Sequence, residues 1–483
     1  MHQATFLPSI IQGGMGVGVS NWSLARVVSQ AGQLGVVSGT ALPTVLARRL
    51  QLGDPGGLMR EALSAFPIPE IAHKVIERYF NPQGKRRGDS FRSNPLPNLA
   101  HRITNDLTIA ANFVEVHLAK RGHDGLVGLN LLEKIQIPTL PSLFGAMLAG
   151  VDYILMGAGI PRSIPRVLDQ FAKRESAQLK IDVQGALPDR PFYATLDPAE
   201  YNLPKAPLKR PAFLAVVSSD ILAKTLAKRS ESQINGFVVE GVEAGGHNAP
   251  PRGPLNLDTI GEPIYGPRDT ANLEQIRQLG LPFWLAGSFG RPGKLAEAKE
   301  LGAAGIQVGT AFAFCEESGI APEIKARVLD KSRRGAIEVF TDPLASPTGF
   351  PFKVLQMEGS VSVPEVYAER NRVCDLGYLR TAYRREDGSL GYRCPGEPVK
   401  DYLAKGGTLE ETKGRKCVCN GLLSTIGLPQ IHKSKTEPAL LTTGRDADRL
   451  HTFVPSGKST YSAAELIQTL LAPYPERQKA QRS

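Results

Sequence analysis

Short and almost uninterrupted apolar runs recur along the chain: Ile10 to Gln12, Leu34 to Ser38, Leu126 to Leu131, Tyr153 to Met156, Phe213 to Ser218, Gly236 to Glu240, Phe283 to Ala286 and Gly305 to Val308. Their lengths suit strands, and the absence of regular polar alternation predicts burial on both faces, as in a parallel sheet. Helical patterns lie between several of them, at Leu24 to Ala31, Ile221 to Lys228, Leu273 to Leu279 and Lys294 to Leu301. Eight strands alternating with helices predict an α/β chain closed into a (β/α)8 TIM barrel. Many runs end in glycine or a small polar residue, as in Met156-Gly157-Ala158-Gly159, and in such a barrel those ends form the catalytic face.

Two connections are too long for ordinary strand-to-helix loops. The stretch 40–124 has helix-like segments at Thr44 to Arg49 and Thr104 to Lys120 and a polar region at Asn81 to Asn98, and reads as an inserted helical segment, a lid beside the active face. The stretch 182–211, rich in Pro, Asp and Lys, is expected to wrap irregularly over the surface. The barrel pattern stops near Thr348, so residues 1–350 are assigned to the barrel with its two insertions and 351–483 to a cysteine-containing C-terminal extension. A helix from Ala463 to Leu471 is predicted there, with Ser462 and Glu465 at capping-box spacing, and 476–483 is expected to fray.

Composition narrows the class. A hydrophobic fraction of 42% and a charged fraction of 22% are those of a globular chain, which argues against disorder. The most apolar window, Ser142 to Ile160, contains Asp152 and several glycines, so it reads as a buried helix followed by a strand, and no membrane association is expected. Pro8 and the glycines from Gly13 onward interrupt the opening run, so export by a standard signal is not expected, and five cysteines in 483 residues suit a reducing, cytoplasmic setting better than a disulfide framework. The formal charge of +10 could suit nucleic acid, but Lys85-Arg86-Arg87 and Lys413 to Lys416 lack interleaved aromatics and read as solvated surface. An acidic small molecule remains a compatible partner.

Three strand ends carry candidate chemistry. In Gln12-Gly13-Gly14-Met15 the glycines let backbone amides approach a flat or anionic ligand, although a tight turn would need them equally. In Glu240-Gly241-Val242-Glu243-Ala244-Gly245-Gly246-His247 the imidazole stands where it could exchange a proton near neutral pH, or simply satisfy a loop. Ala286-Gly287-Ser288 and Gln307-Val308-Gly309-Thr310 follow the last two strands, the usual place for a phosphate in such barrels.

Together with Asn130 at the third strand end, these segments resemble the nitronate monooxygenases and the related flavin-type enoyl reductases and quinone reductases over roughly residues 5–350. The resemblance implies FMN bound by Gln12, Gly14, Met15, Asn130, Gly245, Gly246, Ala286, Gly287, Ser288, Gln307, Gly309 and Thr310. Gly14 and Met15 would lie beside the ring, Asn130 at its polar edge, and His247 would be the catalytic residue. The activity implied is oxidation of a small carbon acid such as an alkyl nitronate with O2. The alternatives are NAD(P)H-dependent reduction of a quinone or enoyl thioester, and a non-catalytic flavin- or metal-containing binding protein. The chain departs from the family at Ser288-Phe289, at Asn248 with the Pro-rich run to Pro254, and at Phe350 and Phe352. Four further cysteines, Cys374, Cys394, Cys417 and Cys419, are candidate ligands of zinc or an iron–sulfur cluster, although scattered reduced thiols fit their spacing better. Base rates favour a homodimer.

Overall fold

The computed structural model describes residues 7–99, 102–204 and 206–473, so the fraying expected of 476–483 lies outside the described residues. Eight strands form one sheet: β1 (Ile10–Gln12), β2 (Gly35–Ser38), β3 (Val127–Leu132), β4 (Tyr153–Gly157), β5 (Ala212–Val217), β6 (Gly236–Glu240), β7 (Phe283–Ala286) and β8 (Gly305–Val308). All pairings are parallel, in the order β1-β8-β7-β6-β5-β4-β3-β2. The Leu34 amide donates to the Ile10 carbonyl at 3.1 Å and the Gln12 amide to the Leu34 carbonyl at 3.0 Å, which brings β2 against β1 and closes a (β/α)8 barrel.

The unbroken apolar runs find their cause in this closure. Ile11, Val36, Leu155, Leu214, Val238 and Trp284 fill the interior, while Ile10, Val37, Ile154, Phe213, Phe237 and Ile306 belong to the cluster beneath the helices. Each such side chain gains roughly 1.5–3 kcal/mol on burial, so a one-residue slip that exchanged the two faces would be opposed at every strand. At the floor, the Trp284 indole donates to the Pro8 carbonyl at 2.8 Å.

The outer layer begins with α1 (Trp22–Gln30), capped by Asn21, whose side chain accepts from the Leu24 amide at 2.9 Å. The 40–124 stretch folds as α2 (Leu42–Gln51), α3 (Leu58–Ser64), α4 (Pro69–Tyr79) and α5 (Arg102–Lys120). It is not principally a lid. Helix α5 is buried over most of its circumference, against α1 on one side and α6 (Thr139–Leu148) on the other, and serves as the helix between β2 and β3. A Cβ on Gly145 of α6 would fall 2.2 Å from the Ile109 carbonyl oxygen, so only glycine lets these two helices come so close.

The 182–211 stretch is more regular than expected. Strand Phe192–Leu196 pairs antiparallel with Ala177–Ile181, and Val183–Gln184 joins strand Thr381–Arg384 of the extension. Ala177, Ile181, Ala194 and Leu196 are all buried, a one-sided apolar pattern that the Pro- and Asp-rich turn between the strands obscures in the sequence.

The extension closes onto the barrel. Antiparallel strands β9 (Val339–Asp342) and β10 (Phe352–Leu355) straddle residue 350. Helix α7 (Cys419–Thr425) packs with Leu376 and Tyr378 over Val17, Ala41 and Val45 at the mouth, and helix α8 (Ala463–Leu471), with the expected capping box, joins the cluster under the barrel helices. Arg48 of α2, 3% exposed, clamps the two parts: its guanidinium donates to the Leu428 carbonyl at 2.6 Å and to Asn420 Oδ1 at 3.3 Å. Nearby, Arg370 and Glu437 form a fully enclosed ion pair. Among the described residues, no helix is long and apolar enough to cross a membrane.

Candidate active site

The strand ends open into one large cavity at the C-terminal face of the sheet. Gly14, Met15, Asn130, Gly245, Gly246, Ala286, Gly287, Ser288, Gln307, Gly309, Thr310 and His247 all line it, so residues from five strand ends converge there. Gln12 does not. It is fully buried behind the turn, where its amide donates to Ser20 Oγ at 2.8 Å and accepts from the Val36 amide at 2.9 Å. Ser20 in turn donates to the Gly13 carbonyl and accepts from the Met15 amide, so Gln12 shapes the glycine turn from beneath rather than facing a ligand.

The glycines are small for a reason that the geometry shows. A Cβ at Gly14 would lie 2.3 Å from Asn130 Cβ, because Asn130 Nδ2 donates to the Gly14 carbonyl across the mouth at 3.3 Å. Gly287 (φ +98°) and Ser288 (φ +58°) both adopt left-handed backbone, which turns the chain sharply at the end of β7 beside Gly241 and Ala244.

His247 is held on three sides. Its Nε2 lies 2.7 Å from Ser346 Oγ, its ring stacks on Phe352 at 4.4 Å, and Phe350 meets its edge at 6.4 Å. Burial lowers the imidazole from its ordinary value to about 4, so it is neutral at physiological pH. The loop carrying it is clasped by β10: the Lys353 ammonium donates to the Val242 carbonyl and to Asn248 Oδ1, both at 2.6 Å, and the Lys353 amide donates to the Gly246 carbonyl. Burial lowers Lys353 to about 8, with Glu243, Glu240 and Glu262 opposing the shift. Phe352 and Lys353 thus take over, from the extension, the support of the β6 loop.

Sequence reasoning missed several lining residues. Glu240 at the end of β6 faces the cavity, and burial lifts its carboxyl to about 7 against the pull of Lys353. Thr442, Thr443, Gly444 and Asp446 enter from the extension, beside the β7 and β8 loops, where the Gly444 amide donates to Thr310 Oγ1 at 3.0 Å. Burial raises the Asp446 carboxyl above the usual range, although Thr310 and Arg291 favour its ionised form. The roof consists of Tyr378, Leu379, Val418, Cys419 and Leu422. No short-range signal pointed to these positions, which lie far along the chain from the strands they cover.

Among the described residues, no group of three or more His, Cys, Asp or Glu side chains is placed to hold a metal ion. Burial raises all four thiols of the extension, Cys417 to about 11 and Cys419 well above its ordinary value, and the nearness of the cysteines to one another adds to the shift of Cys394, Cys417 and Cys419. Cys419 contributes to the apolar roof.

Residues 207–344, which carry β5 to β8 and the His247 loop, match the family model described as nitronate monooxygenase. That match covers less than a third of the chain. The chain is also 28% identical over 143 residues to a Mycobacterium tuberculosis protein named as (3aS,4S,5R,7aS)-5-hydroxy-7a-methyl-1-oxo-octahydro-1H-indene-4-carboxyl-CoA dehydrogenase. That match spans 30% of this chain and 36% of the relative, about a third of its length. Similar solved structures include FabK from Thermotoga maritima (15% identity, TM-score 0.49, 98% of this chain and 95% of that one). Nitroalkane oxidase from Streptomyces ansochromogenes is another (15% identity, TM-score 0.46, 99% and 98%).

Two buried polar atoms without partners, one in the cavity lining and one beside it, bear on a flavin cofactor. Thr443 Oγ1 is buried without a hydrogen-bond partner, and so is Nε of Arg291 on the adjoining loop. A hydroxyl and a guanidinium beside two glycine loops are a donor set suited to a phosphate. Thr443→Val, which keeps the shape and removes only the unsatisfied hydroxyl, should leave the unfolding midpoint of the flavin-free protein unchanged or slightly raised. It should weaken FMN binding by about 1.5–3 kcal/mol, the usual value of a hydrogen bond to a charged group. Fluorescence titration with FMN measures this, and unchanged affinity would place the phosphate elsewhere.

Proposed function

We propose that the protein is an FMN-dependent reductase that passes electrons from NAD(P)H to an activated double bond, an enoyl thioester or a quinone. In this reading Gly14, Met15 and Asn130 cradle the ring, and Gly287, Ser288, Gly309, Thr310 and Thr443 hold the ribityl-phosphate arm. Bound FMN supplies hydride transfer between the nicotinamide and the substrate. The chain's contribution is to exclude water with the roof around Tyr378 and Leu422, to orient the substrate, and to manage the accompanying proton.

The choice is supported by the setting of His247, whose ring stacks on Phe352, meets Phe350 at its edge and lies against Ser346 Oγ, with burial lowering its basicity. A base with a pKa near 4 is poorly matched to removing a proton from a neutral carbon acid, because general-base efficiency follows basicity near the working pH. An enoyl thioester or quinone needs no base. It accepts hydride and then a proton. The name of the Mycobacterium tuberculosis relative, with its carboxyl-CoA substrate, agrees with a thioester.

Oxidation of an alkyl nitronate by O2 is the second reading, favoured by the family match over 207–344 and by the fact that a nitronate arrives already ionised. Anaerobic stopped-flow mixing of the FMN-loaded protein separates the two. Rapid bleaching by NADPH, reversed by an enoyl thioester or a quinone, is expected. Bleaching by propyl nitronate and not by NADPH would overturn the reductase, and bleaching by neither would leave a flavin-holding binding protein.

A further inference from the structure

Glu240 stands in a wall shared by two cavities. One is the large cavity bounded by Gly14, Asn130 and His247; the other is a small polar pocket behind it, lined by Ser218, Asn248, Arg252, Tyr265 and Asp269. Arg252, Tyr265 and Asp269 are partly exposed, and their loop is held by the Arg252 amide on Asp269 Oδ1 at 2.8 Å and by Tyr265 Oη on the Ala249 carbonyl at 3.2 Å. Among the described residues, nothing hydrogen-bonds the Glu240 carboxyl, so its proton is committed to no partner. Lys353 is the charged group that acts on it; Glu243 and His247 line the cavity on one side of it, and Arg252, Tyr265 and Asp269 line the pocket on the other.

We propose that Glu240 is the catalytic acid that protonates the substrate after hydride transfer, and that the polar pocket behind it returns the proton from solvent. This rests on the reductase reading. With the hydride that NAD(P)H would supply added at the β-carbon of an enoyl thioester, the electron pair of the double bond moves to the α-carbon, and the Glu240 O–H bond breaks as the α-carbon–hydrogen bond forms. The resulting carboxylate takes one proton back from water that enters through the pocket behind it. Hydride and proton together account for the two hydrogens that the product gains. Neutral His247 has no proton to give that is comparably acidic, so Glu240 is the group in the cavity suited to the task.

The test uses the FMN-loaded protein and its Glu240→Gln and Glu240→Asp variants. Infrared titration should show a buried protonated-carboxyl band that is lost as pH rises through about 7 and is missing from Glu240→Gln. In rapid mixing, NADPH should bleach the flavin of Glu240→Gln at the wild-type rate, while reoxidation by an enoyl thioester falls about 10²- to 10⁴-fold, the usual worth of general-acid assistance. Wild-type reoxidation should slow as pH rises through about 7, the variant's should not, and Glu240→Asp should recover part of the rate. Reoxidation of Glu240→Gln at the wild-type rate, or a carboxyl band unchanged by the substitution, would overturn the assignment. Wild-type protein that NADPH cannot reduce would overturn the reductase reading instead, and the infrared titration would still decide whether Glu240 holds a proton at neutral pH.

Discussion

Replacing Arg48 by alanine should lower the stability of the protein by about 3–5 kcal/mol, the usual cost of removing one member of a buried charged network. Arg48 satisfies the Leu428 carbonyl and Asn420, and its charge faces Asp375 and Glu437. Asn420 also donates to Asp375 at 2.6 Å, so loss of the guanidinium leaves a carbonyl and two carboxylates without their common partner. Burial lowers Arg48 only to about 10, so the charge is present at neutral pH. The expected result is a lower urea midpoint together with faster release of bound flavin, because α7 and its roof residues hang from this clamp. Arg48→Lys keeps the charge but not the fork, and should fall between. Loss of stability with no change in flavin release would separate the clamp from the roof.

Gly14→Ala should abolish retention of flavin through purification. The added methyl would meet Asn130 Cβ at 2.3 Å and Val36 Cγ1 at 3.2 Å. Asn130 cannot step aside, since its backbone is paired with Ser38 on β2 and Leu155 on β4. The glycine turn must lift instead, which breaks the contact between Asn130 and the Gly14 carbonyl and costs about 1–3 kcal/mol of overpacking. Gly309→Ala is the control for stability, because its Cβ would find Met15 Sδ at 3.5 Å, an ordinary contact. Gly14→Ala protein that keeps a full complement of flavin would show that the cofactor does not depend on this turn.

The barrel was legible because burial on both faces leaves a strong mark: all eight expected runs coincide with strands to within two residues. The glycine loops and His247 were legible for a related reason, since a barrel places every strand end on one face. Side-chain direction was not. Gln12 follows the strand into the site in sequence, yet its amide turns down to Ser20 and Val36. The lid expectation failed because length alone cannot distinguish a cover from a long outer connection. The apolar positions Leu107, Ile109, Phe113, Val114 and Leu118, spread round the helix, were the available sign that α5 packs on both flanks. Thr443, Asp446 and the roof were out of reach, because nothing local in the extension announces that it returns to strands that end at Val308.

That return also sets an order of events during synthesis. Every strand of the sheet is complete before Tyr378, Leu422 or Thr443 leaves the ribosome. The cavity is therefore finished last: its walls come from strands made early, and its roof and Thr443 are supplied only when the final quarter of the chain has been made.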